Sequence, residues 1–422
     1  MAGQGRTTRR RAAGRGRTTR RGAVRRRAVI SLLGCLLVAS GCSAPPAADA
    51  ATGDIQRTLD RRADALLDRD ESGYLAAVDP AAGDLLAVER RTYQNLVDVP
   101  VRSWEYRLRD VERSGTRATA RAELRYRLEG YDTAPVTSSR ALELTERDGR
   151  WYVTADRPGD KGVQQLWQQG AVEVVHGRRS LILGVGQDNA RLREIAAAAD
   201  EAVPAVDEAW PGEWSGRVVV LVPESVTSMA GLLGASAGSY RGIAAVTTGE
   251  TGPKGSSPAD RVIVNPDAYG VLGDFGRRIV LTHETTHVAT RAATSEATPM
   301  WLSEGFSDWV AYRGSGRTDG QAAPELERSL HRGALPAELP EDADFAFDAE
   351  ADELARAYEG GRLACDLIAE RWGETKLTDL YRAVGEREHR EGAVESAMND
   401  VLSVTPDEFG ALWRDYMRER LR

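Results

Sequence analysis

Histidine and cysteine are scarce in this sequence, with five His and three Cys in 422 residues. Cys35 and Cys42 fall near the start and Cys365 stands alone in an apolar helical stretch, so no disulfide is expected within the mature chain. A free Cys in such a stretch reads as a packing residue rather than a nucleophile. A long hydrophobic run is also missing: Ala28–Ala39 is apolar or small throughout but too short to span a membrane as a mature helix. There is no internal repeat and no sustained heptad, which excludes solenoid and coiled-coil architectures. Nor is there an overall excess of positive charge, the formal net charge being −8.

What positive charge there is crowds the beginning. Residues 1–27 hold eleven Arg and no acid, directly ahead of Ala28–Ala39. A basic segment, a short apolar core and small residues before a Cys read as an export signal over residues 1–41. Ala39-Ser40-Gly41-Cys42 resembles the bacterial lipobox, which implies lipidation of Cys42. The chain would then be a lipoprotein anchored to the outer face of the cytoplasmic membrane, with ordinary secretion as the alternative. The pairs Arg9-Arg10 and Arg20-Arg21 lack the apolar and Lys positions that follow a twin-arginine signal, so the export route stays open. Loss of residues 1–41 takes the net charge from −8 to −19, since eleven positive charges go with them. So acidic a chain argues against nucleic acid as a partner.

Residues 42–53 are small, contain Pro and lack large apolar side chains, and so read as a tether. Folding is expected from Asp54, and the remaining length suits two domains. The first, residues 54–157, is α+β. Ile55, Leu59, Ala63, Leu66 and Leu67 form one helical face, and a second helix is expected near Leu85–Leu96. From Ala118 to Leu128 every even position is apolar and every odd one polar, the pattern of a half-buried strand. Turns at Ser114-Gly115 and Asp148-Gly149 predict an antiparallel meander. Helices followed by a curved antiparallel sheet resemble, in shape alone, the nuclear transport factor 2-like or SnoaL-like fold. No acid, base or metal cluster accompanies it, which implies a spacer or adaptor.

Arg157–Gly162 marks a boundary and Val163–Gly170 a connection. The second domain, residues 175–422, opens with strand Ser180–Val185 and a helix bearing Leu192, Ile195, Ala199 and Val206 on one face. Arg217–Val222 reads as a strand buried on both faces. A helix near Ser225–Leu233 precedes two short strands, Ile243–Thr247 and Val262–Val264, one of which should form a cleft edge. The Gly249–Pro258 loop between them is a flap or plain surface. Toward the end, Leu377, Leu380, Tyr381 and Val384, then Phe409, Leu412, Trp413 and Tyr416, keep helical spacing and read as core faces.

Within this domain His283-Glu284-Thr285-Thr286-His287 carries the chemistry. On a helix, positions four apart share a face, so His283 and His287 can reach one metal ion while Glu284 lies beside its bound water. A catalytic zinc needs a third protein ligand and an open position. Thr290 and Ala293 stand where metzincins carry Gly and His, so that branch is excluded. Glu304 is the next candidate, separated from His287 by sixteen residues, with Asp308 one turn further on.

Trp301-Leu302-Ser303-Glu304-Gly305-Phe306 resembles the Trp-Leu-Asn-Glu-Gly-Phe of aminopeptidase N-type gluzincins. Ser303 to Asp308 likewise resembles the Asn-Glu-x-x-Ser-Asp of thermolysin-like enzymes, Ser303 replacing Asn. The resemblance implies that Glu304 is the third zinc ligand and that Asp308 accepts a hydrogen bond from a ligand imidazole, His283. Tyr358-Glu359-Gly360-Gly361 is similar to the Tyr-Glu-x-Gly of the same aminopeptidases, implying that the Tyr358 hydroxyl stabilises an oxyanion. His331 and His389 are alternative donors. The Gly-Ala-Met-Glu-Asn segment that holds a free substrate N-terminus is missing, and Gly242–Gly249, its nearest equivalent, has no acid.

Over residues 175–422 the chain therefore resembles the small, divergent gluzincins of the peptidase MA-like family. That implies a zincin-like α+β domain ending in a helical subdomain, with Zn²⁺ as cofactor. The expected activity is hydrolysis of peptide or protein substrates with Glu284 as general base, as an endopeptidase rather than an aminopeptidase. A cell-envelope binding lipoprotein that keeps zinc without catalysis is the competing reading. The oligomeric state is not legible.

Overall fold

The structure, a computed structural model, describes residues 47–160, 162–248, 259–347 and 349–422. The export segment, residues 42–46 of the expected tether with Cys42, and the Gly249–Pro258 loop lie outside the described residues. Among the described residues no helix is long and apolar enough to cross a membrane.

The chain is a mixed α/β protein with an antiparallel sheet first and a helical region last. Helices α1 (Ala47–Leu67) and α2 (Gly83–Leu96) precede strands β1 (Val101–Ser114), β2 (Arg117–Leu128), β3 (Val136–Arg147) and β4 (Arg150–Pro158), which pair antiparallel in sequence order. The expected alternation is present in β2, whose even positions from Ala118 to Leu128 are buried. Asp148 and Gly149 join β3 to β4 with φ of 50° and 74°, the left-handed pair that matches strand twist in a two-residue hairpin. One boundary differs from the sequence reading. Helix α1 starts at Ala47, inside the expected tether, because Ala51 continues the buried stripe of Ile55, Leu59 and Ala63 by one turn.

The second sheet has the order β5-β6-β7-β9-β8. Strands β5 (Val172–His176) and β6 (Ser180–Val185) are antiparallel, and α3 (Asn189–Ala209) carries the chain to β7 (Val218–Val222), parallel to β6. After α4 (Val226–Leu233), strand β8 (Ala245–Thr248) takes the edge and β9 (Arg261–Val264) inserts between it and β7. The expected connection is part of the core: Trp167, in the turn Leu166–Gln169, is buried with its ring 5.1 Å from Tyr126 and 5.7 Å from Trp104. One apolar cluster thus runs from Ile55 and Trp104 through Trp167 to Leu181, Val219 and Ile263. An ion pair reinforces the join, with Arg261 of β9 donating from both terminal nitrogens to the Asp132 carboxylate at 2.8 and 2.7 Å.

The helical region comprises α5 (Asp274–Thr290), α6 (Met300–Tyr312), α7 (Pro324–His331), α8 (Ala351–Trp372), α9 (Glu374–Gly385), α10 (Ala393–Leu402) and α11 (Pro406–Arg420). Leu377, Leu380, Tyr381 and Val384 are fully buried here, as are Phe409 and Trp413, while Leu412 and Tyr416 are half-buried. Cys365 is buried in the same core, and burial pushes its thiol pKa well up, in keeping with packing. Helices α6 and α8 cross at glycines: a Cβ on Gly305 would lie 2.3 Å from the Gly361 carbonyl, and one on Gly361 would lie 2.7 Å from the Trp301 oxygen. This near contact of backbones carries Tyr358, one turn before Gly361, over the segment that holds Glu304.

Candidate metal centre

Helix α5 delivers His283 and His287 to a cleft and buries Thr285, Thr286 and Thr290. Thr286 and Thr290 donate to the carbonyls of Thr282 (2.8 Å) and Thr286 (3.0 Å) one turn back, whereas the buried Thr285 hydroxyl has no hydrogen-bond partner among the described residues. Facing it, α6 supplies Glu304 and, one turn on, Asp308. Glu304 Oε2 lies 3.1 Å from His283 Nε2 and 3.2 Å from His287 Nε2, and the two nitrogens are 3.1 Å apart.

These separations fit a zinc ion. A tetrahedral ion bonded at about 2.0–2.1 Å keeps its ligand atoms about 3.3 Å apart. The remaining ring nitrogens are engaged as a ligand set requires: His283 Nδ1 is 2.7 Å from Asp308 Oδ1, and His287 Nδ1 is 3.4 Å from the Ser307 hydroxyl. With Nδ1 of His283 committed to donating, its Nε2 presents a lone pair to the centre. Electrostatics favour a cation here. Burial would lower the His283 pKa, yet Asp308 and Glu304 hold it well above the usual range. Burial opposes ionisation of Glu304 too, but the two imidazoles hold its carboxyl far below the usual range.

Glu284 sits beside the three ligands and does not join them. Its carboxylate Oε2 accepts a 2.6 Å hydrogen bond from Thr247 of the edge strand β8, and the same hydroxyl reaches the Glu284 carbonyl at 3.0 Å. Tyr358 of α8 packs its ring 6.1 Å from that of His283 and 5.2 Å from Phe345. Burial first, then the charges of Glu304, Asp308 and Glu284, push its phenol well up, so it stays a donor. His283, His287, Glu304, Glu284, Asp308 and Tyr358 line one cleft of about 850 Å³, whose further walls are β8 and apolar side chains such as Met300, Phe347 and Leu354.

The cleft therefore brings together His283, His287, Glu304, Glu284, Asp308 and Tyr358. It does not take in His331 or His389, both exposed and outside it. Three supporting groups escaped sequence reasoning. Thr247 orients Glu284. Ser307 faces His287, and helical spacing from Glu304 would have flagged it. Tyr381 of α9 bridges Thr294 (2.8 Å), Thr290 and Ser303 (3.4 Å each), tying α5 to α6 behind the ligands.

No protein family and no curated protein matches the sequence. Among solved structures, a mutant M1 zinc metallopeptidase from Deinococcus radiodurans is similar at a TM-score of 0.30 and 14% identity, over 72% of this chain and 62% of that one. Its complex with a Tyr-Ser-Ala substrate gives the same score and identity, over 72% and 61%. This chain thus spans less than two-thirds of that enzyme's length. A SEC-C motif containing protein from Rhodopseudomonas palustris is similar at a TM-score of 0.19 and 21% identity, over 23% of this chain and 72% of that one. At these scores the likeness is slight, and the functional reading rests on the side chains of the cleft.

Proposed function

We propose that this protein is a zinc-dependent metallopeptidase of the gluzincin type that acts outside the cytoplasm. The observation that carries the reading is the convergence of His283, His287 and Glu304 to within 3.1–3.2 Å of one another beside a separately held Glu284. Zinc bound by those three residues would supply Lewis acidity and a water of lowered pKa.

The chain's own groups do the rest. Glu284, steadied by Thr247, takes the proton of the attacking water and returns it to the leaving amine. Asp308 holds His283 in the tautomer that leaves Nε2 free. Tyr358 donates to the scissile carbonyl oxygen as it gains charge. The open edge of β8 offers unpaired backbone to an extended peptide, and the lack of an acidic residue in Gly242–Thr248 favours endopeptidase action. The basic leader, apolar core and Cys42 support export and a lipid anchor on the outer face of the cytoplasmic membrane. The N-terminal helices and sheet would serve as a SnoaL-like spacer between anchor and cleft.

Zinc content and peptide hydrolysis, measured on the full-length protein and on Glu284→Gln, test the reading. The expected outcome is one zinc per chain in both and a fall in turnover of about 10²–10⁴-fold in the variant. Turnover unchanged by the substitution would exclude the mechanism, and a protein that takes up no zinc would exclude the centre.

A further inference from the structure

Arg291 continues the stripe of His283 and His287 by one more turn, four residues beyond His287, and its backbone is still helical at φ −47° and ψ −47°. It lines the same cleft and is the one arginine or lysine to do so among the described residues, where the other charged groups besides the imidazoles are Glu284, Glu304, Asp308 and Glu359. Its guanidinium is held from behind. Nε donates to the buried carboxylate of Asp260 at 3.1 and 3.3 Å, and the neighbouring Arg261, which grips Asp132, also donates to the Asp260 backbone carbonyl at 3.0 Å. Among the described residues no acceptor takes either terminal nitrogen of Arg291, although only 17% of its side chain is exposed. A guanidinium oriented through Nε, with both terminal nitrogens free in a cleft, has the fork geometry that matches a carboxylate.

We infer that Arg291 is a specificity residue, receiving a carboxylate borne by the peptide substrate, as an acidic side chain or a free C-terminus. One helical turn is about 6 Å, roughly two residues of an extended peptide, so the carboxylate belongs about two positions from the scissile bond. The inference rests on the metallopeptidase reading and names the substrates it prefers. Closing the end of α5 is the competing role for Arg291, since a cation at a helix C-terminus is stabilising by itself.

The test measures Kd, by fluorescence anisotropy, for zinc-loaded Glu284→Gln, which holds peptides without cutting them. The probes are end-capped neutral hexapeptides, the same peptides with one Glu walked along them, and neutral peptides with a free C-terminal carboxylate. Peptides with a carboxylate at the matching position should bind roughly 10–100-fold more tightly than neutral ones, the range of a charge-assisted hydrogen bond. Which series shows the gain separates a side chain from a C-terminus. Adding Arg291→Met together with Asp260→Asn, which avoids leaving Asp260 buried without its partner, should abolish the preference and leave neutral peptides within about twofold. Binding without charge preference, or a preference that survives the double substitution, overturns the assignment alone. Failure of every peptide to bind, with no cleavage by the unsubstituted enzyme, overturns the metallopeptidase reading with it.

Discussion

Two places in this chain bury charged groups together, and they end differently. In the N-terminal unit, Arg62 is 1% exposed and donates to Glu89 (2.5 Å), Tyr74 (2.9 Å) and Asp156 (3.2 Å), while Arg140 covers the other side of Asp156 at 2.8 Å. Two guanidinium groups meet two carboxylates, and the Tyr74 hydroxyl completes the set by donating to Glu89 at 2.8 Å. The set is closed. In the cleft, two imidazole nitrogens and one carboxylate oxygen crowd within 3.1–3.2 Å, and among the described residues no Lys or Arg side chain bonds to them. The first arrangement balances its charges within the protein and serves the fold. The second is a set of His and Glu donor atoms close enough to hold one metal ion, the role proposed for it.

The contrast predicts opposite failures. Arg62→Met leaves Glu89 with only the Tyr74 hydroxyl and Asp156 with only Arg140, and should cost about 3–5 kcal/mol of folding stability, read by denaturant unfolding, with zinc content per folded chain unchanged. Loss of zinc without loss of stability would erase the distinction. Asp308→Asn breaks the cleft instead. It should weaken zinc affinity by about 10–100-fold in chelator competition while leaving unfolding of the metal-free protein nearly where it was.

How far the site could be read in advance follows the same division between local and distant. His283, His287 and Glu284 share one helix and were aligned by its spacing, whereas Glu304 and Asp308, one turn apart on the next helix, took their roles from the resemblance to gluzincins. The strand at Ala118–Leu128 was legible for the corresponding reason, its alternation being a property of the strand itself. The bond from Thr247 to Glu284 joins residues 37 apart, and that from Arg261 to Asp132 joins residues 129 apart. Both depend on β9 inserting between β7 and β8, and no local pattern in Arg261–Val264 encodes its neighbours. Trp167 was hidden by Gln164, Gln165, Gln168 and Gln169, which made a buried anchor look like a polar connection. At Ala47–Gly53 small residues imitated a tether, although alanine is also the best helix former.

The glycine crossing lies between the two regimes, because it is a packing feature that places a functional group. Gly361→Ala puts a methyl 2.7 Å from the Trp301 carbonyl, so α6 and α8 must separate. About 1–3 kcal/mol of stability should be lost. Turnover should fall as well, through Tyr358, while zinc stays bound by α5 and α6. Equal activity in the variant would show that the position of α8 does not matter to the chemistry.

The smallest effect sharpens the comparison by pH. Glu359, beside Tyr358, caps another helix: its carboxylate accepts the Glu325 N–H (3.1 Å) and the Leu326 N–H (2.7 Å) at the start of α7. Burial pushes its pKa up to about 7, against the opposing pull of the Leu326 hydrogen bond. The native chain therefore keeps a proton on this group at a pH where the unfolded chain has released it. Its contribution to stability is fully present below the unfolded value near 4.5 and is lost as pH rises through about 7. Glu359→Gln imitates the protonated acid at every pH. Relative to the unsubstituted protein, the variant should gain about 1–2 kcal/mol between pH 5 and pH 8, with unfolding followed in denaturant at each pH. Parallel pH profiles would mean that Glu359 is ionised throughout, held by the α7 amides.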